Sequence, residues 1–331
     1  MTSDTSQRAR AFVAEQTPAA RGLGQALAEL IDDPEAFVAV LREGFASLAD
    51  PAYAAEQERV APGTGAVFGV RWPLINAVAG QLRAPLAESS SSSALWLAQR
   101  LAGGAEHEVR LFSHVPLKRA LADDPERAWQ LMRRLAHAAS DWIAVDSLAH
   151  LYAQGLLAER FRWAELEQLV YSQQRWERRL VGSTVATIPF RLPRHRRAEV
   201  LAAAPGLTLI KSLIGDDEPD VQKALSWALR SWHEVDRTGV ADTLRSEAAR
   251  ARRDDDGHRA WVVRDALTLP ALDPALVREL RVTLDGIRRR PGAPPTSDAH
   301  AAAAAFGGLD GLADTAVAQQ GERQRVGAVG R

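Results

Sequence analysis

The chain has 331 residues, no cysteine, nine tryptophans and a formal net charge of −1. The absence of cysteine excludes disulfides, thiolate nucleophiles and cysteine-bound zinc or iron–sulfur sites. The near-neutral charge gives no support for a generic polyanion binder. The sequence shows neither a signal peptide nor an apolar run of membrane-spanning length, so we expect a cytoplasmic protein without membrane partners.

Alanine, leucine and arginine dominate the composition and β-branched runs are scarce, which favours an all-α protein. The charge is unevenly distributed along the chain. Residues 126–197 contain twelve arginines and seven acidic residues, an excess of five positive charges. Because a local excess of positive charge attracts a phosphate backbone, the neutral net charge does not exclude DNA as a partner. A GC-rich genome explains the arginine content equally well.

The pattern of helix signals divides the chain into three parts. We expect residues 1–17 to form a loose leader, residues 18–288 one helical domain and residues 289–331 a mostly disordered tail. A proline after Asp33 and another at Pro73 mark helix starts. The helices predicted from apolar periodicity span residues 21–31, 34–48, 94–101, 106–122, 125–139, 142–155, 163–171, 176–187, 207–214, 220–232, 240–252 and 258–267.

Two blocks of the sequence share one plan, a leucine-rich helix, a polar turn and a second helix. They begin at Trp163 and Leu207, which are 44 positions apart. A helix-pair period of about 40–47 residues is typical of HEAT and armadillo repeats. The sequence therefore predicts a HEAT-like helical-repeat superhelix, an α-solenoid whose stacked helix pairs form a concave surface.

The common catalytic motifs are missing. The histidines do not form an H-E-x-x-H arrangement, and the sequence contains no phosphate-binding G-x-x-x-x-G-K-S/T loop. It contains no G-x-S-x-G elbow and no G-x-G-x-x-G after a strand. We therefore predict no metal site and no cofactor.

Tryptophans paired with charged residues are the remaining candidates. Trp142 and Asp146 lie one helical turn apart, as do Trp176 and Arg179. A carboxylate beside an indole at the edge of a buried stripe costs free energy unless it is solvated or paired. Each residue taken singly is explained by packing, by the helix dipole or by a solvated surface. Their joint arrangement is what indicates a site.

Four short segments resemble the AlkD family of bacterial DNA glycosylases. They are F-G-V-R-W-P at 68–73, W-I-A-V-D at 142–146, W-E-R-R at 176–179 and V-Q-K-A-L-S-W-A-L-R at 221–230. Their order and approximate spacing are kept over about residues 71–267. The resemblance implies a HEAT-like fold that cradles double-stranded DNA and excises cationic N3- or N7-alkylated purines without metal or cofactor. It also implies that the lesion stays in the base stack.

The resemblance extends to individual residues. It implies that Asp146 is the catalytic carboxylate and that Trp142 and Trp227 flank the deoxyribose of the lesion. It further implies that Arg179 contacts the DNA beside the lesion, whereas Trp176 corresponds to a packing position. The predicted DNA-binding residues are Arg175, Arg178 and Arg179.

Three other functions compete with alkylation repair by a monomeric, nucleoid-associated glycosylase. The first is a non-catalytic HEAT-like scaffold that binds DNA or protein. The second is a self-resistance glycosylase for bulky alkyl adducts. The third is an RNA-binding or tRNA-processing repeat protein, for which the sequence lacks an aromatic stacking code in each repeat. Asp146 favours an enzyme, because a surface that only binds phosphates has little use for a carboxylate.

Overall fold

The computed structural model describes residues 2–305, and these residues contain 18 α-helices and no β-strand. The β-type pairing recorded among them is an isolated parallel bridge between Ala66 and Glu106. The all-α prediction is therefore confirmed. The described residues form two compact units, with the boundary in the sequence between Glu159 and Arg160. Within the same range, no helix is long and apolar enough to cross a bilayer.

Local signals set the helix starts of the first unit. Aspartates 33, 50 and 124 each cap a helix whose first residue is proline, and each carboxylate accepts backbone N–H groups of the first turn. The helices are α1 Thr2–Ala28, α2 Pro34–Ser47, α3 Pro51–Val60, α4 Trp72–Gln81, α5 Arg83–Glu88, α6 Ser91–Ala102, α7 His107–Phe112, α8 His114–Asp123, α9 Pro125–Ala138 and α10 Trp142–Ala158.

Residues 2–17, expected to form a loose leader, belong to helix α1 instead. Phe12 and Val13 pack against the hydrophobic core that contains Phe37 and Leu74. The polar composition of this segment concealed the two apolar side chains that anchor it. Full burial of such a side chain contributes about 1.5–3 kcal/mol, and the partial burial of these two contributes a fraction of that, which offsets part of the entropy lost on ordering.

Two predicted helix boundaries in the first unit were wrong. The helix expected over 106–122 is divided at Ser113 into α7 and α8. Pro116, in the first turn of α8, has no N–H to donate to the carbonyl of Phe112 and its ring crowds that carbonyl. Helix α10 continues past Gly155, where a Cβ would lie 2.7 Å from Cζ3 of Trp129. That glycine permits close packing on α9 and does not end the helix.

The second unit is built from helix pairs. Its elements are α11 Arg162–Gln168, the 3₁₀ helices Leu169–Tyr171, Ile188–Arg191 and Arg194–Arg196, α12 Arg175–Thr187, α13 Arg197–Leu201, α14 Gly206–Leu213, α15 Pro219–Trp232, α16 Arg237–Asp254, α17 Gly257–Ala266 and α18 Pro274–Thr283. Helices α11 and α14 begin 44 positions apart, and so do α12 and α15. The predicted helix pairs are therefore confirmed.

The second helices of successive pairs stack on one another. Helix α12 packs on α15, and α15 packs on α17, while α14, α16 and α18 form a second series of neighbours. Gly182 lies where α12 and α15 approach most closely, since a Cβ there would be 2.8 Å from Cβ of Ala224. Each pair thus covers the apolar face of its neighbour, as expected for a repeat.

The chain after α18 is folded onto the second unit as far as it is described, which corrects the expectation of a disordered segment from residue 289. The N–H of Thr296 donates to the carbonyl of Gly215 at 2.8 Å, and the carbonyl of Thr296 accepts from Nη2 of Arg259 at 3.0 Å. Ser297 is buried. Residues 306–331 of the predicted tail lie outside the described residues.

A buried charge cluster receives this segment. Arg259 is completely buried and forms ion pairs with Glu247 and Asp256. Burial raises the pKa of Asp256, but hydrogen bonds from the Thr296 hydroxyl and the Arg259 N–H, together with the Arg259 charge, outweigh it and lower the pKa. The carboxylate is therefore ionised and ties α16, α17 and the following segment together.

Candidate active site

Helix α10 carries the predicted catalytic pair. Asp141 begins the helix, since its Oδ1 accepts the N–H of Ala144 at 2.8 Å. Trp142 and Asp146 are both half-buried and lie on successive turns. The apolar side chains beside them on α10 are buried in the core and include Val145, Ala149, Tyr152 and Leu156. The helix thus places an indole and a carboxylate at the border between core and surface.

The indole of Trp142 is held by the chain that precedes α4. Its Nε1 donates to the carbonyl of Val60 at 3.4 Å, and the neighbouring Ser140 hydroxyl donates to the carbonyl of Gly63 at 3.5 Å. These contacts connect the start of α10 to the loop of residues 61–71. The orientation of the indole therefore depends on how firmly this loop is held.

A buried glutamate fixes that loop. Glu108 is 3% exposed, and its carboxylate accepts the N–H groups of Phe68, Gly69 and Val70 at 3.0, 2.7 and 3.1 Å. Sequence reasoning placed Glu108 in the helix predicted over 106–122 and did not identify it as the acceptor for this loop. The sequence gives no signal for this acceptor, because every residue except proline carries a backbone N–H group.

Two more contacts hold the same region. The N–H of His107 donates to the carbonyl of Ala66 at 2.8 Å, and Glu106 forms an ion pair with Arg42 of α2. The loop is thus connected to α2 and α7 as well as to α10.

The predicted DNA-binding arginines all lie on α12, and Arg178 is engaged within the protein. Its Nε and Nη2 donate to the two carboxylate oxygens of Asp216 at 2.6 and 3.3 Å. Its Nη1 donates to the carbonyls of Ser172 and Gln173 at 2.9 and 3.0 Å. Four bonds to protein acceptors and near-complete burial give this arginine a structural role that joins two successive helix pairs.

Arg179 and Arg175 differ in exposure. Arg179 is buried, and its Nη1 donates to the carbonyl of Asp220 in the first turn of α15 at 2.6 Å. The Arg175 side chain is 45% exposed, lies 3.5 Å from Glu218 and stacks over the Trp176 ring at 4.8 Å. Arg175 is therefore the arginine of the three that is most accessible to a ligand.

Trp227 lies on the accessible stripe of α15. The stripe also contains Asp220, Lys223 and Arg230, at three- and four-residue spacing, whereas the other faces of the helix are buried. Arg230 forms an ion pair with Asp265 of α17 at 2.5 Å. The half-buried indole is thus presented next to charged side chains on the surface of the second unit.

The structure places the predicted residues in two sets. Trp142 and Asp146 share one helix face in the first unit, while the arginines and Trp227 lie on the packed helices α12 and α15 of the second unit. Among residues 2–305, no group of three or more histidine, aspartate or glutamate side chains is arranged to hold a metal ion. The first set offers a fixed carboxylate beside an aromatic face, which suits the stabilisation of a developing positive charge.

Comparison with known proteins gives one family. No curated protein matches this chain. The sequence model of the DNA alkylation repair enzymes matches residues 41–268, which is more than half of the chain and includes all six predicted site residues. The chain therefore belongs to the DNA alkylation repair enzyme family.

Proposed function

We propose that this DNA alkylation repair enzyme is a monofunctional glycosylase that hydrolyses the N-glycosidic bond of cationic N3- or N7-alkylated purines in duplex DNA. The observation that carries the proposal is the pairing of Trp142 and Asp146 on one half-buried face of α10. A carboxylate that is held at a helix surface beside an indole suits a reaction in which the substrate becomes more positive at the sugar.

The substrate makes a strong general acid unnecessary. An alkylated purine already carries a positive charge. When the bond between C1′ and the base nitrogen breaks, its electron pair goes to that nitrogen, and the base leaves as a neutral molecule. The sugar then carries an oxocarbenium-like charge. Water adds to C1′, and its proton leaves to Asp146 or to solvent, which gives an abasic site. Asp146 stabilises the cationic sugar and orients the water.

Aromatic and basic residues serve binding in this proposal. The π-faces of Trp142 and Trp227 attract a cationic sugar or base, with about 0.5–2 kcal/mol for each face. Arg175, the exposed arginine of α12, contacts a phosphate, and Arg179 of the same helix contributes its charge beside the first turn of α15, where its Nη1 donates to the carbonyl of Asp220. The buried Arg178 supports the helix pair and is not included among the DNA contacts.

The test measures base release. A duplex that carries one N7-methylguanine is incubated with the protein and then heated in alkali, which cleaves the strand at abasic sites. We expect cleavage by the wild type and a loss on the order of 100-fold or more for Asp146→Asn, because this variant lacks the charge that stabilises the cationic sugar. The matched control is Asp32→Asn, which removes an exposed carboxylate of the same unit.

Thermal unfolding followed by circular dichroism establishes that both variants are folded. Normal excision by folded Asp146→Asn overturns the assigned role of the carboxylate. A second duplex with a bulky N7 adduct accompanies the first, because a lesion that stays in the base stack is not limited by the size of a closed pocket. If the wild type releases neither base, the glycosylase proposal fails and a DNA-binding scaffold takes its place.

A further inference from the structure

A cavity of about 610 Å³ lies between α17, α18 and the segment that follows α18. This volume is within the range of about 300–1,000 Å³ found for ligand sites. Much of its lining follows residue 268, where the match to the family ends. The residues that matter for the argument are Trp261, Arg264, Arg281, Asp285, Arg288 and Arg289.

Charge distinguishes this cavity. Four arginines and one aspartate line it, an excess of three positive charges in a concave space. Elsewhere in the second unit, Arg178 is paired with the carboxylate of Asp216 and Arg230 with that of Asp265. A concave wall that carries charge of one sign concentrates the field and attracts counter-ions of the opposite sign.

The cavity arginines fall into two groups by their contacts. Arg264 Nη2 donates to the carbonyls of Leu284 and Ile287, the second at 2.6 Å, and Arg289 Nη1 donates to the side-chain oxygen of Gln222 at 2.9 Å. The guanidinium groups of Arg281 and Arg288 have no hydrogen bond or ion pair with any other residue in the range 2–305. Their charge is therefore available to a ligand.

The position of the basic groups is fixed from two sides. Arg289 stacks over the ring of Trp261, with 5.1 Å between its guanidinium carbon and the ring centroid. Arg264 holds the turn of residues 284–287 through its two carbonyl contacts. Burial and the nearby charges of Arg288 and Arg252 lower the pKa of Arg264, and the opposing effect of Asp285 does not outweigh them.

We propose that this cavity binds a phosphate group of the DNA backbone and provides an anchor outside the part of the chain that matches the family. Planar guanidinium groups bind phosphate oxygens in pairs, and Arg281 and Arg288 supply two such groups without breaking a contact inside the protein. The proposal rests on the DNA substrate of the proposed function but does not require that the protein releases a base.

Binding of an undamaged fluorescent duplex, measured by anisotropy over a series of salt concentrations, tests this proposal. We expect the double variant Arg281→Gln/Arg288→Gln to bind on the order of 10-fold more weakly at low salt. The slope of log Kd against log salt should fall by about 0.9 for each phosphate that the variant no longer binds. The variant Arg281→Lys/Arg288→Lys, which keeps both charges, should retain the slope.

The control is Arg245→Gln/Arg253→Gln, which removes the same charge from arginines that are paired with carboxylates. If the cavity variant and this control show equal affinity and slope, the proposal is overturned. Calorimetric titration of the wild type with inorganic phosphate and with a mononucleotide tests the other source of a phosphate. If the cavity variant no longer binds one of these small ligands but binds the duplex as well as the wild type does, the cavity is a site for a free ligand. That outcome also overturns the proposal.

Base release from the N7-methylguanine duplex is measured with the same protein preparations. A reduced salt slope in a protein that releases no base would sustain the phosphate anchor and reject the glycosylase. Base release by the wild type, with a salt slope that is unchanged in the cavity variant, would support the glycosylase and reject the phosphate anchor.

Discussion

Asp146 and Glu108 are two carboxylates of the first unit in contrasting surroundings. Asp146 is half-buried at the edge of α10, whereas Glu108 is 3% exposed and accepts three backbone N–H groups. A carboxylate that is surrounded by backbone donors is used to hold the chain, and one at a half-exposed edge is accessible to a substrate. This difference supports a catalytic role for Asp146 and a positioning role for Glu108.

The substitution Glu108→Gln tests the positioning role. The amide turns a donor toward at least one of the three N–H groups, so we expect a loss of about 1–3 kcal/mol in the free energy of unfolding. Urea unfolding followed by circular dichroism measures it, with the exposed Glu58→Gln of α3 as the control. Equal stability of the two variants would show that the loop does not depend on this carboxylate.

Residue-scale prediction from sequence succeeded where the signal was local. Asp141 and Ser140 are both suitable caps by sequence, and the structure uses Asp141, while the half-buried edge formed by Trp142 and Asp146 follows from spacing along one helix. The surroundings of Arg178 did not follow, since its partner Asp216 is 38 positions away. A basic dipeptide at a helix start looks the same in sequence whether it faces DNA or a buried carboxylate.

Helices α12 and α15 illustrate how the repeat depends on small residues. A Cβ at Gly182 would lie 2.8 Å from Cβ of Ala224 and 3.0 Å from its carbonyl carbon. Neither neighbour is the flexible end of a long side chain. The interface must therefore open when a methyl group is added, and it carries the arginines and Trp227 of the proposed site.

The substitution Gly182→Ala is expected to destabilise the protein by about 1–3 kcal/mol through overpacking. Helix propensity alone predicts the opposite sign, a gain of up to about 1 kcal/mol. Gly22→Ala in α1 provides the matched control, because a Cβ there meets no atom within 4 Å and only propensity should act. The Tm of each variant is measured by thermal unfolding. A rise in Tm for both variants would contradict the close contact between α12 and α15 at Gly182.

Element boundaries were predictable where they were set by caps and wrong where they depended on packing. The Asp-Pro starts of α2 and α9 follow from side chains next to each other in sequence. Helix α10 continues past Gly155, and the Trp129 ring, 26 positions away, packs against that glycine. Sequence alone interprets such a glycine as a helix end.

Protonation links the stability of the whole molecule to pH through the histidines of the first unit. Burial, with smaller contributions from the charges of His150 and His107, lowers the pKa of His114 from 6.5 to about 4. Between these two values the unfolded chain binds more protons than the folded chain, so stability falls as pH decreases from 6.5 to 4. His107 shifts in the same direction because of its burial.

We expect His114 to cost the folded protein about 1–2 kcal/mol at pH 5 relative to pH 7.5. Urea unfolding at several pH values, compared between the wild type and His114→Gln, isolates this contribution because the other titrating groups cancel in the difference. The exposed His195→Gln serves as the control and should follow the wild type. A wild-type curve parallel to that of His114→Gln would contradict the lowered pKa of His114.

The sequence by itself determined the helical class, the 44-residue helix pair, most helix starts and the positions of Trp142, Asp146 and Trp227 on their helices. These features arise from caps, prolines and apolar periodicity, which act within a few residues of one another. They also include the segments that resemble DNA alkylation repair enzymes. The family match over residues 41–268 confirms this resemblance.

Tertiary structure alone decided which charges are used internally and which remain available. Glu108 meets its loop across 39 positions, Arg178 meets Asp216 across 38, and residues after α18 are added to the arginine-lined cavity. The physical reason is that burial and ion pairing depend on groups brought together by packing. Charge patterns along the chain do not record those neighbours.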